Sequence, residues 1–252
     1  MTNDVVLDTK AFEVSKFKDD IAYHQSVQKI LKLGIPDLDL IHHNTAFNGA
    51  ANIARQLCLY ELYKKTMHLA GHIAEIGVWK GASFLYWAKL VSIFEPHSNT
   101  LVHGFDWFEG MKPSEVDRAV KSGKCSGDYD LLRELIEIQD VGNIARLHKL
   151  DITKDLDLFF DTFSAAHFKL VFIDAGVYDV VRAAVPRFWD RLGPGGILAL
   201  DEFNWQSAPG EAIAIRELLP DAEVRTFAWA RQPSGYIVKG GDASAVAAGS
   251  SP

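Results

Sequence analysis

The chain is poor in cysteine: Cys58 and Cys125 are the only two among 252 residues. They form no CxxC pair, which excludes a zinc knuckle or a dithiol redox centre. Cys58 falls in an apolar helical context and reads as a small core residue; Cys125 falls in a Gly/Ser-rich loop. A reducing, cytoplasmic location is the expectation. No apolar run is long enough to span a bilayer, and residues 1–10 are polar with no apolar signal core. No membrane partner is therefore expected. Basic residues are in deficit, with 26 Lys and Arg against 33 Asp and Glu and a formal charge of −7. A polyanion requires a basic face, so nucleic acid is not an expected partner. Two phosphate-binding signatures are absent. Trp79 stands where a GxGxxG fingerprint needs its second glycine, and there is no GxxxxGK[ST] loop. No internal repeat is visible.

Apolar residues make up 48% of the chain and charged residues 23%, a balance that supports one buried core. From residue 72 onward the pattern alternates between strand and helix. Strands are expected at 73–77, 101–106, 145–150, 170–174 and 196–201. Helices are expected at 82–94, 129–140, 156–164, 178–191 and 211–219. Two last strands follow at 223–229 and 236–239. Buried strands joined by crossover helices make a doubly wound parallel sheet, an α/β fold. Residues 1–70 carry no strand signal. Phe12, Phe17, Ile21, Val27, Ile30 and Leu31 outline one apolar helix face. A second helix starts near Asn44 or Asn48 and runs toward Gly71. This region reads as an N-terminal helical cap that could also supply a dimer surface. Residues 71–240 form the sheet domain, and the small, polar stretch 241–252 reads as a disordered tail. The loop 109–128 is either a surface insertion or a lid over the ligand end of the sheet.

Three features lie at expected strand ends. Glu75-x-Gly77-x-x-x-Gly81 joins a strand to a helix N-terminus, where backbone N–H groups and the positive helix end can approach a ligand; the glycines serve equally well as a plain structural turn. Asp106 closes the second strand, as a ribose-binding carboxylate or as a loop cap. Asp151 follows the third, where it could meet an adenine amine or cap the next helix. A second constellation is Asp174 with Asp201 and Glu202, at the ends of strands four and five. Neighbouring strands lie about 4.8 Å apart, so these carboxylates converge. Either a hard cation such as Mg²⁺ sits among them or they are solvated strand ends. Trp79, Trp107, Tyr178 and Trp205 crowd the same rim. His42-His43 lacks a third ligand and is assigned no metal.

Three segments together resemble a class I S-adenosylmethionine-dependent methyltransferase, and within that superfamily they are similar to the macrocin O-methyltransferase family. They are Glu75-Ile76-Gly77-Val78-Trp79-Lys80-Gly81, then Gly104-Phe105-Asp106-Trp107-Phe108-Glu109-Gly110, then Phe172-Ile173-Asp174 through Tyr178 with Pro194-Gly195-Gly196 and Asp201-Glu202. The resemblance spans roughly residues 70 to 240. It implies a Rossmann-like seven-stranded sheet with the last strand antiparallel. It implies S-adenosylmethionine over the ends of strands one to three. Residues 75–83, with Glu75, Gly77, Gly81 and Ser83, would hold its methionine part, Asp106 its ribose, and Asp151 with Ile152 its adenine. It implies Mg²⁺ on Asp174, Asp201 and Glu202, and a hydroxylated small-molecule acceptor, a sugar of a natural product or surface glycan. A homo-oligomer is the matching expectation.

One departure bears on catalysis. The family usually carries a second aspartate two residues after the one matching Asp174, and that aspartate is its base; here the residue is Gly176. Asp174 and Glu202 are the catalytic candidates, with Asp179, His103 or a residue of the helical cap as substitutes for the base. Two other readings stand beside O-methylation: a non-catalytic scaffold on the same fold, and a methyltransferase for a phenol or amine.

Overall fold

The computed structural model describes residues 19–117, 120–203 and 205–240. Phe12, Phe17, the side chain of Ile21 and the expected tail at 241–252 lie outside the described residues. The chain divides into two compact units between Ile53 and Ala54. The first holds α1 (Asp19–Leu31), α2 (Asp37–His42) and a 3₁₀ turn (Asn44–Ala46). Helix α3 (Ala50–Thr66) begins at the boundary, and most of it belongs to the second unit. Its buried residues Cys58, Leu59, Leu62, Tyr63 and Thr66 repeat at helical spacing. Leu59, Leu62 and Tyr63 belong to the core of the sheet domain.

In the second unit strands and helices alternate: β1 (His72–Ile76), α4 (Ala82–Phe94), β2 (Val102–Asp106), α5 (Tyr129–Ile138), β3 (Ala145–Lys149), α6 (Ile152–Thr162), β4 (Phe168–Ile173), α7 (Tyr178–Arg191), β5 (Leu192–Leu200), α8 (Gly210–Leu218) and β6 (Gly235–Val238). The sheet order is β3-β2-β1-β4-β5-β6. All neighbours are parallel except β5 and β6. Side chains alternate across each strand, so one sequence feeds two cores. Ile73, Val102, Leu170, Phe172 and Ile197 face Leu62, Phe84, Trp87 and Leu132. Ala74, Ile76, Phe105, Val171 and Leu198 face Phe159, Val181, Phe188 and Ile215.

The antiparallel last strand matches expectation; among the described residues the sheet has six strands where seven were expected. The expected strand at 223–229 makes only one bridge, in which Arg225 and Tyr236 exchange backbone hydrogen bonds of 2.8 Å. Pairing stops there because the chain turns back, with the amide of Ala230 donating to the carbonyl of Phe227 at 3.0 Å. Among the described residues no helix is long and apolar enough to cross a membrane.

Strand order reverses about β1 and β4, so their crossovers leave toward opposite sides. A crevice opens at such a point, beyond the carboxyl ends of the strands.

Candidate active site

A cavity of about 810 Å³ occupies that crevice. It is lined by the β1 turn (Ile76 to Lys80), Ser83, Asp106, Trp107, Asp151, Ile152, Asp174, Asp201, Glu202 and Arg55, among others. The residues singled out at five separate strand ends thus share one space. Glu75 and Gly81 do not line it.

The β1 turn is held by close contacts. Gly77 has φ +91°, and a Cβ there would overlap the carbonyl of Asp174. Only glycine permits this approach of the β1 turn to the end of β4. Trp79 and Phe108 also take positive φ values, 50° and 68°. Asp106 holds both: it accepts from the amide of Trp79 at 2.8 Å and from that of Phe108 at 2.7 Å. It therefore stitches the β1 and β2 turns together, and as a carboxylate with about four lone-pair sites it keeps capacity for a ligand hydroxyl.

Glu75 is fully buried behind the wall and accepts from the Ser83 hydroxyl at 2.9 Å. Burial pushes its carboxyl up to about 8, against the opposing pull of Ser83 and Arg55. Its Oε2 has no partner. Glu75 therefore acts on the cavity through Ser83, whose hydroxyl it holds and which does line the space.

Asp151 caps α6, accepting from the Thr153 amide at 3.0 Å and its hydroxyl at 2.6 Å, and it pairs with Lys154 at 2.8 Å. Burial opposes its charge, but Lys154 and Thr153 prevail and hold the carboxyl below its ordinary value. The helix-capping role is present, and the residue still lines the cavity beside Ile152.

At the other end, Arg55 decides the electrostatics. It reaches from α3 to Asp174 at 2.8 Å through Nη2 and to Asp201 through Nη1. Burial works against its charge, but Asp201 and Asp174 outweigh that and raise its pKa. Gln232 donates to the second oxygen of Asp201 at 2.6 Å. Burial, then Asp201, push the Asp174 carboxyl well up, against the pull of Arg55. Glu202 is pushed up to about 7, first by burial and then by Asp201. Its backbone amide is held by Glu211 at 3.2 Å, and its Oε2 is buried without a partner. Gly176 has φ +60°, and a Cβ on it would overlap that Oε2.

The magnesium ligand set does not fit these residues. Both oxygens of Asp201 are taken, by Arg55 and Gln232, and a guanidinium stands between Asp174 and Asp201. Among the described residues no group of three His, Cys, Asp or Glu is placed to hold a metal ion.

His103 is not at the site. It is buried at mid-sheet, with Nδ1 at 3.0 Å from His148 Nε2 and its ring against Phe105, Phe159 and Phe168. Burial, then His148, lower its pKa to about 3. Asp179, in the first turn of α7, lines the cavity. Of the rim aromatics, Trp79 and Trp107 line it, whereas Tyr178 bonds Glu217 at 2.6 Å and Trp205 stacks under Arg231 at 5.1 Å.

Within 109–128 the described residues pair across the loop: the Gly123 amide donates to the Met111 carbonyl at 2.8 Å and the Met111 amide to the Lys124 carbonyl at 2.7 Å. Trp79 Nε1 donates to the carbonyl of Ser126 at 3.2 Å, and Gly110, Met111, Lys112 and Cys125 line the cavity.

Residues 74–203, half of the chain, match the sequence model of a methyltransferase domain. The chain belongs to the methyltransferase domain family. Its sheet is the class I methyltransferase fold of solved structures. CalS11, a calicheamicin methyltransferase, superposes with a TM-score of 0.79 at 23% identity, over 87% of this chain and 93% of that one. An apo structure described as CalS11, TDP-rhamnose 3'-O-methyltransferase, gives 0.73 at 22% identity, over 87% and 94%. The O-methyltransferase NovP gives 0.63 at 15% identity, over 74% and 80%. No curated protein sequence matches. The family places the cavity and its carboxylates on a methyltransferase scaffold; Arg55 lies outside the matched residues.

Proposed function

We propose that this methyltransferase uses S-adenosylmethionine to methylate a hydroxyl of a small molecule. The cavity carries the reading: it runs without interruption from Asp106 and Asp151 to Asp174 and Glu202. One end offers the β1 turn and Ser83, held from behind by Glu75, to a charged amino-acid moiety, and Asp106, Asp151 and Ile152 to a nucleoside. The other end offers carboxylates to an alcohol. When bound, S-adenosylmethionine supplies a methyl group made electrophilic by its sulfonium.

The chain must then position the alcohol and take its proton. Glu202 is the base. Its Oε2 is buried, unpartnered and lodged where a side chain from position 176 would otherwise be. A carboxyl held near neutrality accepts a proton in the working pH range and returns it readily. The acceptor hydroxyl gives its proton to Glu202, and its oxygen forms the new C–O bond while the electron pair of the broken C–S bond stays on sulfur. Holding the oxygen in line with that bond contributes several kcal/mol, up to about 7–11 in ideal cases.

A sugar hydroxyl is the proposed acceptor. The likeness to CalS11, a calicheamicin methyltransferase and TDP-rhamnose 3'-O-methyltransferase, favours it over a phenol or amine. A homo-oligomer is proposed through the first unit, where Leu31, Leu33, Leu38 and Ile41 are exposed.

The test is a calorimetric titration with S-adenosylmethionine and S-adenosylhomocysteine, followed by mass spectrometry of a glycoside panel. Binding of both and a product heavier by one methylene unit, on oxygen, is expected. Absence of cofactor binding rejects the proposal, and binding without turnover across the panel favours the scaffold reading.

A further inference from the structure

The family resemblance asks for a divalent ion among Asp174, Asp201 and Glu202, and the side chains present are arranged around something else. Arg55 lies on the inward stripe of α3, on the same helix face as Cys58, Leu59 and Leu62. Long charged side chains are rarely turned inward without a partner. This one bridges the ends of β4 and β5, one nitrogen to each carboxylate, and packs over the Phe172 ring at 5.6 Å. Gln232 closes the remaining oxygen of Asp201.

We infer that Arg55 is the resident cation of this site: it holds the acceptor oxygen and stabilises its developing negative charge, so that methyl transfer by this chain needs no divalent metal. The inference rests on the methyl-transfer reading given above. A guanidinium has five N–H donors in a rigid fork, and two are committed to the carboxylates. The side chain lines the cavity and remains 27% exposed, so further donors are open to an acceptor oxygen. A fixed positive charge aimed at an oxygen that is losing its proton stabilises the transition state without rearrangement. Unlike a metal ion, it forms no bond to that oxygen and lowers its pKa less. A separate base is then required, and Glu202 fills that need in the space left by Gly176. The departure at position 176 and the inward arginine at 55 thus belong to one arrangement.

The test reads metal binding apart from catalysis. Protein stripped by chelation is titrated with Mn²⁺ and followed by the loss of the free-ion electron paramagnetic resonance signal. Wild type is expected to leave micromolar Mn²⁺ free. Arg55→Ala, shown folded by circular dichroism, is expected to bind it, and Asp201→Asn in that background to abolish the binding. Methyl transfer by wild type is expected to be indifferent to chelation and to added Mg²⁺, and Arg55→Ala to lose roughly 100-fold or more, the scale for removing one charge-stabilising donor. Arg55→Lys keeps the charge without the fork and should fall between. Tight Mn²⁺ binding by wild type that Asp201→Asn removes overturns the inference, as does full activity of chelated Arg55→Ala. If Arg55→Ala does not fold, the wild-type titration and Arg55→Lys decide. Mn²⁺ titration requires neither cofactor nor acceptor, so failure of S-adenosylmethionine binding would sink the proposed function and leave this result standing.

Discussion

Gly176 and Glu202 compete for one volume. Residue 176 turns at φ +60°, and the first carbon of any side chain there would overlap Glu202 Oε2. A carboxylate lost from one strand end is matched by a carboxylate seated from the next. Gly176→Asp should therefore not restore a second acid but displace the first. Gly176→Ala makes the same point with less chemistry. It is expected to lower kcat by about 10-fold or more, the range for a misplaced base, while cofactor affinity measured by calorimetry is unchanged. An alanine also strains a positive-φ position, so stability should fall by about 1 kcal/mol or more in urea.

Glu202 also fixes a pH dependence. Burial and Asp201 hold its carboxyl at about 7, above its ordinary value of 4.5. Below pH 7 the base is protonated, so kcat/KM is expected to rise as pH increases through about 7 and then level off. Stability has the opposite sign. Between the unfolded and folded pKa values the unfolded chain binds fewer protons, so stability falls as pH rises from 4.5 to 7. Glu202→Gln should abolish most activity, flatten the rise in rate, and be relatively more stable at pH 8 than at pH 5. A wild-type rate independent of pH from 6 to 8 would remove Glu202 from the role of base.

Much of this was legible in the sequence because parallel strands buried on both faces announce themselves as short apolar runs. Helices α4 and α7 match the expected bounds of 82–94 and 178–191. Helix α6 starts four residues earlier than the apolar run suggested, because Asp151 caps it directly and Ile152 is already in its first turn. The seventh strand failed because alternation at 223–229 describes an extended edge without specifying that it pairs. Arg55 was missed for a different reason: an arginine on a helix is ordinarily read as solvated. Its signal was present, since it falls in step with Cys58, Leu59 and Leu62 on a stripe that is otherwise apolar. The carboxylates at 174, 201 and 202 were legible as a cluster, but the cation among them came from a helix far away in sequence.

Asp106 separates two roles that the sequence could not. Its two bonds to the amides of Trp79 and Phe108 brace two residues with positive φ. Each charge-assisted bond is worth about 1.5–3 kcal/mol. Asp106→Ala should lose stability on that scale and weaken S-adenosylmethionine binding in calorimetry. Asp106→Asn keeps one oxygen acceptor and should recover more of the stability than of the affinity. If both variants bind the cofactor like wild type, Asp106 is a brace alone.

Asp117 ties its loop to the N-termini of α7 and α8. It is fully buried, and its oxygens accept from the amide of Tyr178 at 2.8 Å, the amide of Gly210 at 3.0 Å and the hydroxyl of Ser114 at 3.1 Å. Those amides open α7 and α8, whose own capping residues, Val177 and Pro209, make no side-chain cap. One carboxylate from the loop thus caps two helices that carry none, and its charge suits both positive helix ends. Asp117→Ala leaves two buried amides without partners, at about 1–3 kcal/mol each. The expected result is a lower urea midpoint, protease cleavage within 109–128, and a raised KM for the acceptor with little change in cofactor affinity. Asp117→Asn, which retains an acceptor oxygen but not the charge, should lie between. A loop that resists cleavage in Asp117→Ala would mean that its fold-back pairing and the Trp79 to Ser126 bond hold it without the helix caps.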